Sequence, residues 1–112
     1  GNPVCCASAL ANLQVLQDEQ LIDQAEEKGL LFEQYLQHPS IKAVRRIGLF
    51  FAIDFESEEK VQRIVKNALE MNVICFWFLS CPWSFRIAPP LSITEDEIKM
   101  SCEILLSAIE NS

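Results

Sequence analysis

Apolar positions recur along this chain at several spacings, and each spacing marks an element. Between Pro3 and Gln17 the small residues Ala7, Ala9 and Ala11 are interleaved with Val4, Leu10, Leu13 and Leu16. That mixture predicts a helix packed closely on several sides, which needs a larger body to cover it, rather than a surface helix with one stripe. Asn2 is placed to cap its start, and Pro3 suits a first helical position because its missing N–H has no intrahelical partner there. Asp18 offers a fresh cap. Leu21, Ile22, Ala25, Gly29, Phe32 and Leu36 then follow helical spacing until His38-Pro39 stops it. Glycine inside a helix costs about 1 kcal/mol relative to alanine, so Gly29 points to the close approach of a neighbouring backbone.

From Ile41 the pattern turns to β-branched and aromatic residues. It predicts one strand from about Val44 to Phe55, with Gly48 as a bulge or close-contact point. Ser57 caps the next helix, whose first turn carries Glu58 and Glu59, favourable against the helix dipole, and whose stripe is Val61, Ile64, Val65, Ala68 and Leu69. Asn72 is suited to end it in a left-handed conformation. Two short apolar runs, Val73 to Phe78 and Ser84 to Ala88, read as strands bounded by Ser80-Cys81-Pro82 and Pro89-Pro90. Thr94 and Glu97 form a capping box ahead of Ile98, Cys102, Leu105, Leu106 and Ile109. The order α-α-β-α-β-β-α predicts an α+β fold: a small antiparallel-type sheet with helices on one face and the N-terminal helix at its side.

A length of 112 residues, half of them apolar, bounds this to a single domain, 1–112. The longest apolar run, Val73 to Leu79, is too short to span a membrane, and no signal-peptide pattern occurs. A net charge of -7 repels nucleic-acid backbones. Lys42, Arg45 and Arg46 run against that balance and read as a solvated loop edge. Five cysteines give no complete disulfide framework, which points to a reducing, cytoplasmic setting. With one histidine, His38, and no CxxC pair, no metal site is expected. His38 itself reads as a helix-end cap or a solvated loop residue. Dinucleotide, Walker, nucleophile-elbow and HExxH patterns do not occur.

One residue carries candidate chemistry. In Ser84-Phe85-Arg86-Ile87-Ala88 the period of two sends Phe85 and Ile87 to one face and Arg86, between the small Ser84 and Ala88, to the other. A guanidinium held at a strand end beside a rigid Pro-Pro presents a planar fork suited to a carboxylate. The same pattern also describes an ordinary arginine on a solvated sheet face or paired with an acid. The nearby Phe76, Trp77, Phe78 and Trp83 either wall a pocket or pack as core or interface.

Three segments, in order, resemble the class III branch of fold type I aminotransferases that use pyridoxal 5'-phosphate (PLP). Gly1-Asn2-Pro3-Val4-Cys5-Cys6-Ala7-Ser8-Ala9-Leu10-Ala11 is similar to the family's GNP-x-x-CAAALA helix start. Val44-Arg45-Arg46-Ile47-Gly48-Leu49 is similar to its VRGxGL strand, and Phe85-Arg86-Ile87-Ala88-Pro89-Pro90-Leu91-Ser92-Ile93-Thr94 to its RxxPPLxIT segment. The resemblance implies the C-terminal small domain of such an enzyme, a fragment whose helix 1–17 links to an absent large domain and whose β-α-β-β-α core is 41–112. It implies that Arg86 binds the carboxylate of an amino acid or 2-oxo acid substrate. It implies PLP in the intact enzyme, a homodimer, and no cofactor bound to the fragment. The Schiff-base lysine lies upstream, so Lys28, Lys42, Lys60, Lys66 and Lys99 do not inherit its role, no catalytic residue is expected in this chain, and the fragment alone is expected to be inactive. The implied amino donors include ornithine, acetylornithine and other ω-amino acids, with 2-oxoglutarate as acceptor.

The chain departs from the family's pattern twice. Arg46 stands where the family has a glycine, so either the local turn differs or Arg46 points to solvent. The segment Phe76 to Trp83 is unusually aromatic. Two further readings accompany the resemblance: a regulatory module that binds amino acids through a β-α-β-β-α core, and a purely structural dimerisation domain.

Overall fold

The computed structural model describes all residues, 1–112. Helix α1 (Pro3–Asp18) is followed by α2 (Leu21–Tyr35), strands β1 (Ala43–Ile47) and β2 (Phe50–Asp54), α3 (Glu58–Glu70), β3 (Phe76–Trp77), β4 (Ser84–Ile87) and α4 (Glu95–Glu110). Local capping chemistry sets several of these ends. Asn2 Oδ1 accepts the Val4 N–H, Ser57 Oγ the Lys60 N–H, and the Thr94/Glu97 box closes in both directions. Asn72 adopts φ 65° past the end of α3, as its side chain favours.

The strands form one antiparallel sheet in the order β1-β2-β4-β3. The expected order of elements holds with one refinement. The stretch from Val44 to Phe55 is a hairpin rather than one strand: Ile47 pairs with Phe50 across the two residues Gly48 and Leu49, and Gly48 takes φ +56° there. A left-handed conformation at that point costs glycine little. The run expected from Val73 to Phe78 pairs only at Phe76 and Trp77, because the Val73 N–H is held by the Ala68 carbonyl at the end of α3. Asp18 does not cap α2. Its side chain accepts from Gln14 Nε2 within α1, and Gln20, in a left-handed conformation at φ 52°, starts α2 without a side-chain cap.

Register divides the sheet into two faces. Phe51, Ile53, Phe85 and Ile87 lie on the inner face, where Phe32 and Leu36 of α2, Val61, Ile64 and Ala68 of α3, and Ile98, Cys102, Leu105 and Ile109 of α4 complete the core. Phe32 meets Phe51 at 5.1 Å between ring centroids. The core thus draws on α2 as well as on the elements after Ile41. His38 joins the two sides of this layer, its Nε2 lying 2.7 Å from a Glu110 carboxylate oxygen while Nδ1 accepts the Ser40 N–H.

Helix α1 behaves differently. None of its residues is buried, and Val4 and Leu10 are 77% and 68% exposed. It does not pack beside the sheet as expected but runs off the start of α2, and the molecule is correspondingly elongated, 46 × 29 × 23 Å.

Candidate functional site

The outer face of the sheet is not covered by any helix of the chain. Arg86 projects from it, opposite Ala52 on β2 and Phe76 on β3. Ala52 in turn faces Arg45 on β1, so the row across the sheet reads Arg45, Ala52, Arg86, Phe76. Ala52, which carries a single methyl, leaves a shallow recess between Arg45 and Arg86, whose backbones stand about 10 Å apart, two strand spacings.

The two cations at the rims of that recess differ electrically. Arg45 is neutralised: Nε and Nη2 donate to the two oxygens of Asp54 at 3.1 and 2.8 Å, and Nη2 also reaches Ser84 Oγ at 3.3 Å. Ser84 Oγ donates to Asp54 as well. Burial pushes the Asp54 carboxyl up, but the hydrogen bonds from Arg45 and Ser84 and the Arg45 charge outweigh it, leaving its pKa below the ordinary 3.8. Ser84 is the one buried polar residue of the chain, and no buried side-chain polar atom lacks a partner. Arg86 takes part in none of the four ion pairs. Its guanidinium carbon lies 5.5 Å from the Phe76 ring centroid and 5.9 Å from that of Phe78. A carboxylate entering the recess therefore meets one uncompensated charge, that of Arg86.

Arg46 corrects one expectation and excludes one branch of another. It is not part of a solvated loop edge, and of the two alternatives for its replacement of the family glycine it does not take the one toward solvent: its side chain is 9% exposed, on the inner face of β1. Nε donates to Glu33 at 2.6 Å, Nη1 and Nη2 to the two oxygens of Glu26 at 2.9 Å, and Nη1 to the Gly48 carbonyl at 3.3 Å. These bonds, those to Glu26 first, outweigh burial and raise its pKa further above the ordinary range. The backbone approach expected at Gly29 is present beside it. A Cβ there would lie 2.3 Å from the Gly48 carbonyl oxygen and 2.7 Å from Arg46 Nη1. Lys42 enters β1 through its backbone, its N–H donating to the Asp54 carbonyl.

Lys28 Nζ donates to the Leu91 carbonyl at 2.7 Å, Lys60 and Lys66 lie on α3, Lys99 on α4, and Lys42 just ahead of β1. No group of His, Cys, Asp and Glu side chains is arranged to hold a metal. Burial pushes the Cys75 and Cys102 thiols up to about 11 and about 12, so both stay protonated at neutral pH and serve the core. A separate cleft of about 360 Å³ lies between Ile87–Pro90 and α4, lined mainly by apolar groups with Glu97 as its only charge. It holds no cation and does not reach Arg86. No helix is long and apolar enough to cross a membrane.

Residues 1–109 match the family described as Aminotransferase class-III. The chain is 36% identical to Ornithine aminotransferase 2 of Staphylococcus aureus, over 92% of this chain and 26% of the relative. It is 32% identical to the ornithine aminotransferase of Bacillus subtilis, over 100% and 28%. Among solved structures, a Bacillus anthracis aminotransferase superposes with a TM-score of 0.89 at 28% identity, covering 99% of this chain and 29% of that one. The ornithine aminotransferase of Toxoplasma gondii, whose structure is described as having partial PLP occupancy at the active site, gives 0.85 at 28% identity, covering 97% and 27%. The chain thus spans about a quarter of the length of the curated relatives it matches.

Proposed function

The chain belongs to the class-III aminotransferase family, and from that premise we propose that it is the substrate-carboxylate-binding small domain of a PLP-dependent aminotransferase. In this reading Arg86 anchors the carboxylate of an amino acid or 2-oxo acid. The observation that carries it is the unpaired Arg86 guanidinium on a sheet face that no helix of the chain covers, beside a recess floored by Ala52. Its planar fork fits a carboxylate with two parallel hydrogen bonds. The Arg45–Asp54 pair, already neutral, leaves Arg86 as the point of attachment for the anion.

The reaction in this reading is amino transfer from an ω-amino donor of the ornithine or acetylornithine type to 2-oxoglutarate; the names of the relatives, ornithine aminotransferases, support the ornithine donor. PLP supplies the electron sink for that chemistry. Its lysine belongs in this reading to a large domain outside these residues, since none of the chain's lysines falls in a segment that resembles the family's lysine motif, and the assembled enzyme is a homodimer. The chain's own part is orientation: fixing the carboxylate places the reacting carbon and lowers the entropy cost of the step. The match through Gly1 to Ala11 favours this reading over a free-standing regulatory module or a purely structural dimerisation domain, which do not need that helix start.

Kinetics of the assembled enzyme test the assignment. Arg86→Ala is expected to lower kcat/KM for both glutamate and 2-oxoglutarate by roughly 2–5 kcal/mol if the site is desolvated. Unchanged values for both acids would remove Arg86 from the site.

A further inference from the structure

The aromatic segment ahead of β4 is not absorbed by the core. Phe76 is 52% exposed, and Phe78 is only half-buried, although both are large apolar groups that normally leave water on folding. Register explains where they go. Phe76 is the cross-strand neighbour of Arg86, and Phe78, two residues on, is tied to the same strand by its N–H donating to the Ser84 carbonyl at 3.4 Å. Both rings lie within the distance at which a guanidinium is attracted to an aromatic face. On the opposite flank Arg86 has only Ala52. Nothing else in the chain fixes the plane of this guanidinium, because it makes no ion pair.

We propose that Phe76 and Phe78 are positioning residues for Arg86: their rings hold the flat of the guanidinium on the β3 side and leave its hydrogen-bonding edge turned to the recess over Ala52. The inference rests on the carboxylate role of Arg86 and adds to it how that group is pre-oriented. An arginine on an exposed strand loses side-chain entropy when it takes a ligand, and a stacked arginine has already lost part of it. The rings also exclude water from one side of the bond that the carboxylate forms, which strengthens it. Aromatic character, and not bulk alone, is what the arrangement requires.

The test is binding of glutarate to the cofactor-loaded enzyme by calorimetry, with 2-oxoglutarate kinetics alongside, for Phe76→Leu, Phe78→Leu, the double Leu variant, the matching Tyr variants and Arg86→Lys. The double Leu variant is expected to weaken glutarate binding roughly tenfold, in line with two exposed cation–π contacts, and to raise KM for 2-oxoglutarate similarly while kcat changes less than about twofold. Tyr at both positions restores binding to within about twofold, since its ring keeps the attractive face. Leu and Tyr variants equally weakened would overturn the proposal in favour of shape alone. Leu variants that bind as the parent does, with Arg86→Lys impaired, would overturn it and leave the carboxylate role standing. If Arg86→Lys also binds normally, both fall. Phe76→Leu alone, at a half-exposed edge position, decides the matter if the double variant does not fold: it is expected to weaken binding about threefold, and parent-like binding by it overturns the role of Phe76.

Discussion

Arg46 and Arg86 stand on one four-stranded sheet and face opposite ways, and their surroundings could hardly differ more. Arg46 is enclosed by Glu26, Glu33 and the Gly48 carbonyl, with a side chain 9% exposed. Arg86 has two aromatic rings, a methyl group and no counter-ion. A buried guanidinium has to be satisfied from within the chain, whereas one on an uncovered face need not be. The contrast teaches how to separate two cations that sequence alone ranks together: the one whose three nitrogens all donate within the chain holds structure, and the one with free donors is available to a ligand.

The variants that break this comparison run from large to small. Arg86→Ala, which under the proposed role impairs acid turnover in the assembled enzyme, is expected to shift the folding free energy of the chain by no more than about 0.5 kcal/mol, as a surface substitution. Urea denaturation checks it, and a larger loss would show that Arg86 is structural after all. Gly29→Ala should act in the opposite sense, costing about 2–3 kcal/mol of stability with no direct effect on the recess. Its methyl group would meet the Gly48 carbonyl, part of a hairpin backbone that cannot simply rotate away, and the gain in helix propensity offsets only a part. Arg46→Ala is expected to cost about 1–2 kcal/mol by the same assay. The value is discounted because Glu26 and Glu33 reach water once released, at 67% and 38% exposure already.

The smallest effect is one of pH. Asp54 has a folded-state pKa below its ordinary 3.8, so it binds protons more weakly folded than unfolded. Its contribution to stability is therefore complete above about pH 4 and is lost as pH falls through the lower folded value. In acid titrations of unfolding the advantage of the parent over Asp54→Asn should shrink as pH falls below about 4. A gap that stays constant over that range would place the Arg45–Asp54 bond outside the energetics of the fold.

What the sequence made legible was local. Asn2-Pro3, Ser57 and the Thr94/Glu97 box each act within a turn of backbone, and each helix start follows them. The face to which Arg86 points follows from the period of two within its own strand. What stayed hidden depended on distant partners. Glu26 and Glu33 lie 20 and 13 residues from Arg46, so the pairing that answers its replacement of the family glycine could not be read from spacing. The hairpin at Gly48-Leu49 was masked by apolar residues on both sides and by the lack of an Asn-Gly signal. That Phe76 and Phe78 flank Arg86, rather than enter the core, depends on the β3–β4 register, which no local pattern sets.

No residue of helix α1 is buried against the rest of the chain. A lone helix of this length is marginal in water, so its backbone hydrogen bonds open by fraying from the ends, independently of the global transition. Amide protons of α1 should thus exchange with deuterium far sooner than those of Ile98 to Ile109, which are released only when the whole layer comes apart. Two clocks would run in one short polypeptide, and any surface that settles onto α1 would slow the fast one first.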